Sequence, residues 1–520
     1  MKGENDDMNG GTKRQKRWAR RAKTGCLVCR QRRVKCGEEK PECARCAALK
    51  VPCHYSILQQ DSQLPQAMAT RPVGFDGSQE ERHLNYEFCN RFASMFCDEF
   101  NSELWAQHLP QTAYHEPAIW HIISAIAALF PTPPADRNSP HGIRTYTRGL
   151  QHYSLSVKAI QKMIDEKEAD QDISTQRKET ILTHSPFLAM CEFWISNRRS
   201  KVKSSGGIGL VRLWKGWELQ TETGSQAVTQ ATLFLLKGHA SSEGSHFVAP
   251  SESWDWQEAL AYMSRRPITS FAGACLETEM LLASLHRLFR KLPVQPDAYT
   301  IRSADMKRAV YKSFVALLGP RLEQFAKSIT MCKMELLRLQ IINIWILLIT
   351  VMLKVNLSCI ELGWDDFLPD FEQILVLAEA IYAQNDHDRV LPLFTPFLSK
   401  ALHMMARWCR EPGLRRRIIS TFERHPPFSS GSAPRGWTSL ICTLQEIEEH
   451  AWREPRERDV GCDKQLGCVA GKYVCKNHRV VNVQLREDPE LGRIFTFTTF
   501  GQAIRHAPGK QVAITAPFWG

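Results

Sequence analysis

The sequence predicts a mainly α-helical protein: a small metal-held module, a flexible linker, a large all-helical domain and a short β-hairpin near the C-terminus. Three observations predict this. Six cysteines between Cys26 and Cys53 write one unit, Cys-x2-Cys-x6-Cys, twice. From about residue 80 onward, apolar residues recur mostly every third or fourth position. Beyond residue 460 that period breaks, and Val480, Val481, Val483 and Leu485 are followed by Ile494, Phe495, Phe497 and Phe500. Apolar residues make up 43% and charged residues 23% of the 520. Most of the chain can therefore bury a core, and there is room for more than one domain.

Residues 1–22 read as a disordered basic arm. Lys13, Arg14, Lys16, Arg17, Arg20 and Arg21 form a cluster of the nuclear-import type that could equally track phosphates. Residues 1–56 hold 15 Lys+Arg against 6 Asp+Glu, a net of +9, while the whole chain carries +12. Excess charge beside a metal module is the footprint of a polyanion binder. The N-terminus lacks the apolar segment of a secretory signal, so the 17 cysteines read as reduced thiols and metal ligands, not disulfides.

Residues 23–56 are the metal module. A thiolate pair two residues apart can clasp one tetrahedral zinc. Six sulfurs, Cys26, Cys29, Cys36, Cys43, Cys46 and Cys53, are too many for one such ion and two short of two separate sites. If two of them bridge, eight bonds become available and two zinc ions fit. The two halves differ in chemistry. Residues 30–35 carry four basic side chains, Arg30, Arg32, Arg33 and Lys35, whereas residues 47–52 carry one. Each half should begin as a helical turn after its cysteine pair. So small a module buries too little apolar surface to fold alone, and metal binding supplies the free energy.

The text from Lys23 through Cys29-Arg30-Gln31-Arg32-Arg33-Val34-Lys35-Cys36, then Lys40-Pro41-x-Cys43-x2-Cys46, resembles the fungal Zn2Cys6 binuclear-cluster transcription factors. Gly37 departs from the pattern, which usually has an acidic residue there, but it is not a ligand. The resemblance implies a nuclear, sequence-specific regulator of RNA polymerase II genes. It implies double-stranded DNA and transcription machinery or co-regulators as partners, and two zinc ions as cofactors. A short helix after the second cysteine would enter the major groove, with Arg32 and Arg33 reading CGG-type triplets. Arginine can reach guanine O6 and N7 with two hydrogen bonds. Arg30, Lys35 and Lys23 would hold phosphates.

Residues 57–78 read as a linker. Ile57, Leu58 and Leu64 precede Pro65, too few for a heptad run. Monomeric binding, or a homodimer formed through the large domain, both stay open.

Residues 79–459 read as a helical regulatory domain. The stretch from Leu84 to Trp105 predicts one or two amphipathic helices. Further helices are expected from Pro117 to Phe130, from Arg144 to Asp165, and from Leu368 to Tyr382 with Phe371, Ile374, Leu375, Ala378 and Ile381 inward. The run from Ile341 to Leu353 is too short to span a membrane and reads as a buried helix. Residues 196–253 look irregular, and Gly206-Gly207-x-Gly209 lacks the context of a phosphate loop. Fragments around Leu368, Leu391, Cys409–Arg417, Trp437 and Ile447 resemble, in order, the end of a fungus-specific transcription-factor domain. Arg415, Arg416 and Arg417 read as a solvated helix face. Cys97, Cys332 and Cys359 read as small buried hydrophobes, and His108, His115 and His121 as core.

Residues 460–520 form a C-terminal extension with the hairpin. Cys462, Cys468, Cys475 and His478 could make another zinc site, but without a Cys-x2-Cys pair they read as ordinary thiols. No nucleophile elbow, His-Glu-x-x-His or nucleotide loop supports an enzyme. The alternative to a DNA reader is a zinc-stapled adaptor without sequence-specific binding. The basic first loop argues against it. No effector ligand is identifiable.

Overall fold

A computed structural model describes residues 29, 34, 36–37, 43–49, 77–131, 138–165, 173–195, 204–219, 225–242, 254–384, 397–425, 435–449, 468–469, 472–488 and 492–514. The basic arm, most of the linker, Cys462 and the Leu391 fragment lie outside them. The chain divides into two units, 1–73 and 74–520.

In the first unit, α1 (Ala44–Ala48) starts directly after Cys43, whose backbone is extended. The Cys46 and Ala47 amides donate to the Cys43 carbonyl at 2.9 and 3.1 Å, which closes the turn. Val34 N–H donates to the Cys29 carbonyl at 3.0 Å, which holds Val34 beside Cys29.

The second unit opens with α2 (Gln79–Glu87), started by a reciprocal cap. The Ser78 hydroxyl accepts from the Glu81 amide at 3.2 Å, and the Glu81 carboxylate accepts from the Ser78 amide at 2.7 Å. Wide π-helical turns at Phe88–Phe92 and Leu104–His108 flank α3 (Ala93–Phe96), and α4 (Leu109–Ala113) follows. They gather the aromatic stripe around Trp105, whose ring meets Phe96 at 5.0 Å, Phe187 at 5.0 Å and Phe234 at 5.5 Å. Such pairs add about 0.5–1.5 kcal/mol each beyond burial.

Helix α5 (Pro117–Leu129) begins on proline, where no amide partner is lost. It is apolar nearly all round, and every residue but Pro117 and His121 is buried. Helix α6 (Pro140–Asp165) crosses it at Gly149, where a Cβ would come within 2.6 Å of Leu129. The expected helix thus begins four residues before Arg144.

The irregular segment expected at 196–253 is corrected by the structure. It contains α8 (Ser204–Leu213) and α9 (Ser225–Ser242), which follow α7 (Thr175–Ile195). Their glycines disguised a packing device as a loop. A Cβ on Gly207 would sit 3.0–3.1 Å from Ser185 and Leu235, so its absence lets three helices approach. Helix α9 is also pinned by charge: Lys237 donates to Asp98 at 2.9 Å, with both side chains buried. The Gln230 side chain accepts from the Leu104 amide at 2.7 Å.

A second core is built on α10 (Gln257–Met263), α11 (Phe271–Arg290), α12 (Ala298–Ser328), α13 (Lys333–Lys354), the short α14 (Ile360–Gly363), α15 (Leu368–Gln384), α16 (Phe397–Trp408), α17 (Pro412–Arg424) and α18 (Arg435–Glu449). Helix α13 is long and apolar enough to cross a membrane by length and composition. Its Trp345, Leu348, Ile349 and Met352 are completely buried in the protein core, as expected. Helix α15 buries Phe371, Ile374, Leu375, Ala378 and Ile381, the five residues assigned inward.

The hairpin of β1 (Val480–Asp488) and β2 (Gly492–Thr499) is present, with Leu485 opposite Phe495. A third strand missed in the sequence, β3 (Lys510–Ile514), pairs antiparallel with β2, and α19 (Phe500–Ile504) links them. Its alternation is brief, and only Ile514 is buried, so it lacked a strand signature.

Other expectations on single residues are revised. Cys332 is exposed and Cys97 and Cys359 are half-buried, because they lie at helix ends rather than inside apolar faces. The buried thiols are others, such as Cys191, Cys275 and Cys409. His115 is exposed on the turn before α5, and His108 and His121 are half-buried.

Among the described residues, His184 and His403 are enclosed deeply enough to tie stability to pH. His184 is enclosed, with its Nε2 2.7 Å from the Ser156 hydroxyl, and His403 is similarly covered. Burial pushes both down to about 3. Their folded pKa is depressed below the unfolded value of about 6.5. The stability this neutral burial confers is therefore complete above about pH 6.5 and is lost as pH falls toward 3. Each approaches a loss of about 1.4 kcal/mol per pH unit well below pH 6.5, so the pair removes about 3 kcal/mol between pH 6.5 and 5. Urea midpoints at pH 7 and pH 5 check this; equal midpoints would mean that both rings protonate freely in the folded state.

Candidate metal centre

In the first unit the described cysteines converge as the repeated spacing requires. The Cys29 sulfur lies 3.7 Å from that of Cys43 and 4.0 Å from that of Cys46. All three side chains are fully buried, and Val34 and Cys36 pack against them. Cys43 and Cys46 are held by the first turn of α1, and the Cys29 carbonyl is held by the Val34 amide. Three soft donors therefore face one point from two segments of backbone.

These separations test the fit of zinc. Sulfur ligands about 2.3 Å from a tetrahedral zinc lie about 3.8 Å from one another. The observed 3.7 and 4.0 Å are therefore edges of such a tetrahedron. Acidity fits as well. Burial raises the Cys43 thiol, but the Cys46 amide and the neighbouring Cys46, Cys36 and Cys29 sulfurs outweigh it and bring it down to about 6. A thiol in that range supplies thiolate, the form that binds metal, near neutral pH.

Cys26 and Cys53 lie outside the described residues. So do Arg30, Arg32, Arg33, Lys35 and Lys23, together with Lys13, Arg14, Lys16, Arg17, Arg20 and Arg21. The structure thus brings together Cys29, Cys43 and Cys46 with Cys36 beside them.

Among the described residues of the second unit, two donor groups occur. One is Cys468, Cys475 and His478, three of the four residues that read as ordinary thiols and a lone histidine. The Cys475-x2-His478 spacing was the signal that could have flagged it. The other is Glu81, His121 and His152, drawn from three separate helices with no sequence signature. There the two Nδ1 atoms are 3.3 Å apart and the rings stack, while Glu81 is engaged in the cap of α2. Burial lowers the pKa of both histidines, although the Glu81 carboxylate opposes it.

A cavity of about 470 Å³ lies where α11, α14 and α16 meet β1. Trp364 and Trp408 stack in its wall at 4.3 Å, with Arg290, Arg407 and Glu361 beside them.

Arg415 is not on a solvated face, contrary to the sequence reading. It is completely buried and donates to Glu448 at 2.8 Å. Arg410 donates to the same carboxylate at 3.0 Å and to Glu361 at 2.6 Å. Arg417 keeps the expected exposed role and pairs with Glu379. Burial would raise Glu448, but Arg410 and Arg415 outweigh it and hold the carboxyl below its usual range.

Comparison with known proteins matches both parts of the chain. Residues 24–62 match the fungal Zn(2)-Cys(6) binuclear cluster domain, and residues 82–228 match the fungal specific transcription factor domain. A domain of the first kind holds two zinc ions. Similar proteins include the Zn(2)-C6 fungal-type transcription factor afumD of Aspergillus fumigatus, 28% identical over 139 residues, which are 24% of this chain and 37% of that one. The transcriptional regulatory protein UME6 of Saccharomyces cerevisiae is 49% identical over 41 residues, 8% of this chain and 5% of that one. White-opaque regulator 2 of Candida albicans is 45% identical over 58 residues, 11% of this chain and 12% of that one. Each match spans well under two thirds of the relative's length. No solved structure matches the chain. The cluster-domain match followed by the transcription-factor-domain match, on a mainly helical fold, makes these two stretches of the chain similar to fungal Zn(2)-Cys(6) transcription factors.

Proposed function

We propose that the chain is a nuclear, sequence-specific DNA-binding regulator of transcription rather than an enzyme. The observation that carries this reading is the set of sulfur separations at Cys29, Cys43 and Cys46, in a stretch matching the binuclear cluster domain. We assign all six cysteines, Cys26, Cys29, Cys36, Cys43, Cys46 and Cys53, as ligands of the two zinc ions, with two of the sulfurs bridging. Zinc supplies the cross-links that a module of this size needs in order to fold.

The residues around the cluster do the reading. Arg32 and Arg33 lie in the middle of the basic first loop, where each can give two hydrogen bonds to a guanine edge in a CGG-type triplet. Arg30, Lys35 and Lys23 neutralise phosphates and set the register. The basic arm adds charge along the duplex and can serve nuclear import. The helical unit is the regulatory part, contacting transcription machinery or co-regulators, and the regulated genes are those of RNA polymerase II.

Selection of bound sequences from random DNA by the full-length, zinc-loaded chain tests this. Enriched CGG triplets support it, and their number and spacing distinguish a monomer from a homodimer. No enrichment and no binding at low salt would overturn it and favour a zinc-stapled adaptor. Arg33→Ala should cost about 1–3 kcal/mol, roughly 5- to 150-fold in Kd, and relax the preference at one base. Lys23→Ala should weaken all sequences alike and reduce the salt slope by about one.

A further inference from the structure

Among the described residues outside the N-terminal cluster, one donor set has both the chemistry and the convergence of a metal site. The His478 Nδ1 lies 3.2 Å from the Cys468 sulfur and 3.2 Å from the Cys475 sulfur. All three donor atoms lie within 4.8 Å of one another. Residues seven apart are drawn together by a tight turn, in which Val469 and Tyr473 exchange amide–carbonyl bonds at 3.0 and 2.9 Å. A single 3-10 turn, Lys476–His478, then brings the imidazole back beside Cys475. The backbone thus aims three side chains at one point before β1 begins.

Ordinary thiol–imidazole hydrogen bonding explains this poorly. A neutral imidazole nitrogen offers one lone pair or one proton. Two sulfurs at equal distance from the same nitrogen compete for that single direction. A cation at their common centre would satisfy all three at once. Sulfur at about 2.3 Å and nitrogen at about 2.05 Å from a tetrahedral zinc lie about 3.6 Å apart, so the observed separations need to open by only a few tenths of an ångström. The Cys475 amide donates to the Cys468 sulfur at 3.1 Å, the kind of outer bond that stabilises a thiolate ligand. Two sulfurs and one imidazole select zinc over calcium or magnesium. Cys475 is fully buried while Cys468 and His478 are half-buried, so the site has a closed floor and an open approach.

We propose that Cys468, Cys475 and His478 bind a third zinc ion, with water from the open approach as fourth ligand, as a clip that fixes the sheet to the helical unit. The adjacent residue shows what the clip would hold. Arg479 is completely buried, and its guanidinium donates to Asp365 at 2.9 and 2.6 Å and to the Val474 carbonyl at 3.0 Å. Its carbonyl accepts from the Phe500 amide at 2.9 Å, and the Lys476 ammonium lies 4.1 Å from the centre of the Phe500 ring. A cross-link one residue upstream fixes the backbone from which Arg479 reaches the helices.

The test counts zinc in the full-length chain by native mass spectrometry after dialysis against metal-free buffer. The wild type should retain three ions per chain. Cys43→Ser, which disables the N-terminal cluster and leaves the second unit unaltered, should retain one. Adding Cys475→Ser or His478→Ala to it should leave none. Cobalt loaded into the Cys43→Ser chain should give visible bands of a site with two thiolates. Because Cys43→Ser changes nothing in the second unit, misfolding there cannot mask the result. A Cys43→Ser chain that retains no zinc, or one whose ion survives both added substitutions, would overturn the proposal.

Discussion

Replacing Glu448 with alanine should destabilise the helical unit by about 3–5 kcal/mol, a large share of the stability of any domain. The Glu448 carboxylate is fully buried and serves three donors: Arg410, Arg415 and the Val480 amide at 2.9 Å. Without it Arg410 still has Glu361, but Arg415 is left with only the Ala406 carbonyl for its charge. An uncompensated buried guanidinium costs far more than the pair contributes when intact. Glu448→Gln should fall between, since it retains an acceptor but not the charge. Changing Glu448 to leucine and Arg415 to methionine together should recover much of the loss, because apolar side chains of similar volume can replace a buried pair. Urea unfolding followed by tryptophan fluorescence measures all three. A loss below about 1 kcal/mol for Glu448→Ala would mean that the pair behaves as a surface salt bridge.

The second large effect is expected at Cys43. Cys43→Ser removes a thiolate from a module whose folding depends on metal, so DNA binding should fall at least about 100-fold. Prolonged chelation should reproduce the loss in the wild type, and added zinc should reverse it. The urea transition of residues 74–520 should not move, because that unit has apolar cores of its own. Gel-shift titration paired with the unfolding curve checks both halves. If Cys43→Ser binds duplex DNA with unchanged affinity and salt dependence, the cluster is not the reader.

What could be read in advance followed from local periodicity. The helix Leu368–Gln384 and its five buried residues were legible because one amphipathic stripe faces one core. The cysteine module was legible because metal geometry imposes spacing directly on sequence. Long-range partnerships were not. Arg415-Arg416-Arg417 looks uniform as text, yet Arg415 is enclosed while Arg417 reaches the exposed edge of Glu379. Only the position of α18, which carries Glu448, separates them. Gly207 looked like a loop because glycine is a poor helix former, and the reason for it, contact with Ser185 and Leu235, is tertiary. His478 lacked the paired-cysteine signature and became a donor only once the turn at Val469–Tyr473 folded Cys468 back onto it.

The contact between the sheet and the helices also bears on the order in which the protein can mature. Glu448 receives its third donor from Val480, and Asp365 receives its guanidinium from Arg479. Both donors leave the ribosome long after the helices they serve. During synthesis the helical unit therefore waits, with Asp365 lacking its guanidinium and Glu448 one of its three donors, until the sheet segment arrives. A premature stop before residue 479 would not yield a slightly shortened regulator. It would yield a chain held in that unfinished condition, a ready substrate for chaperones and proteases.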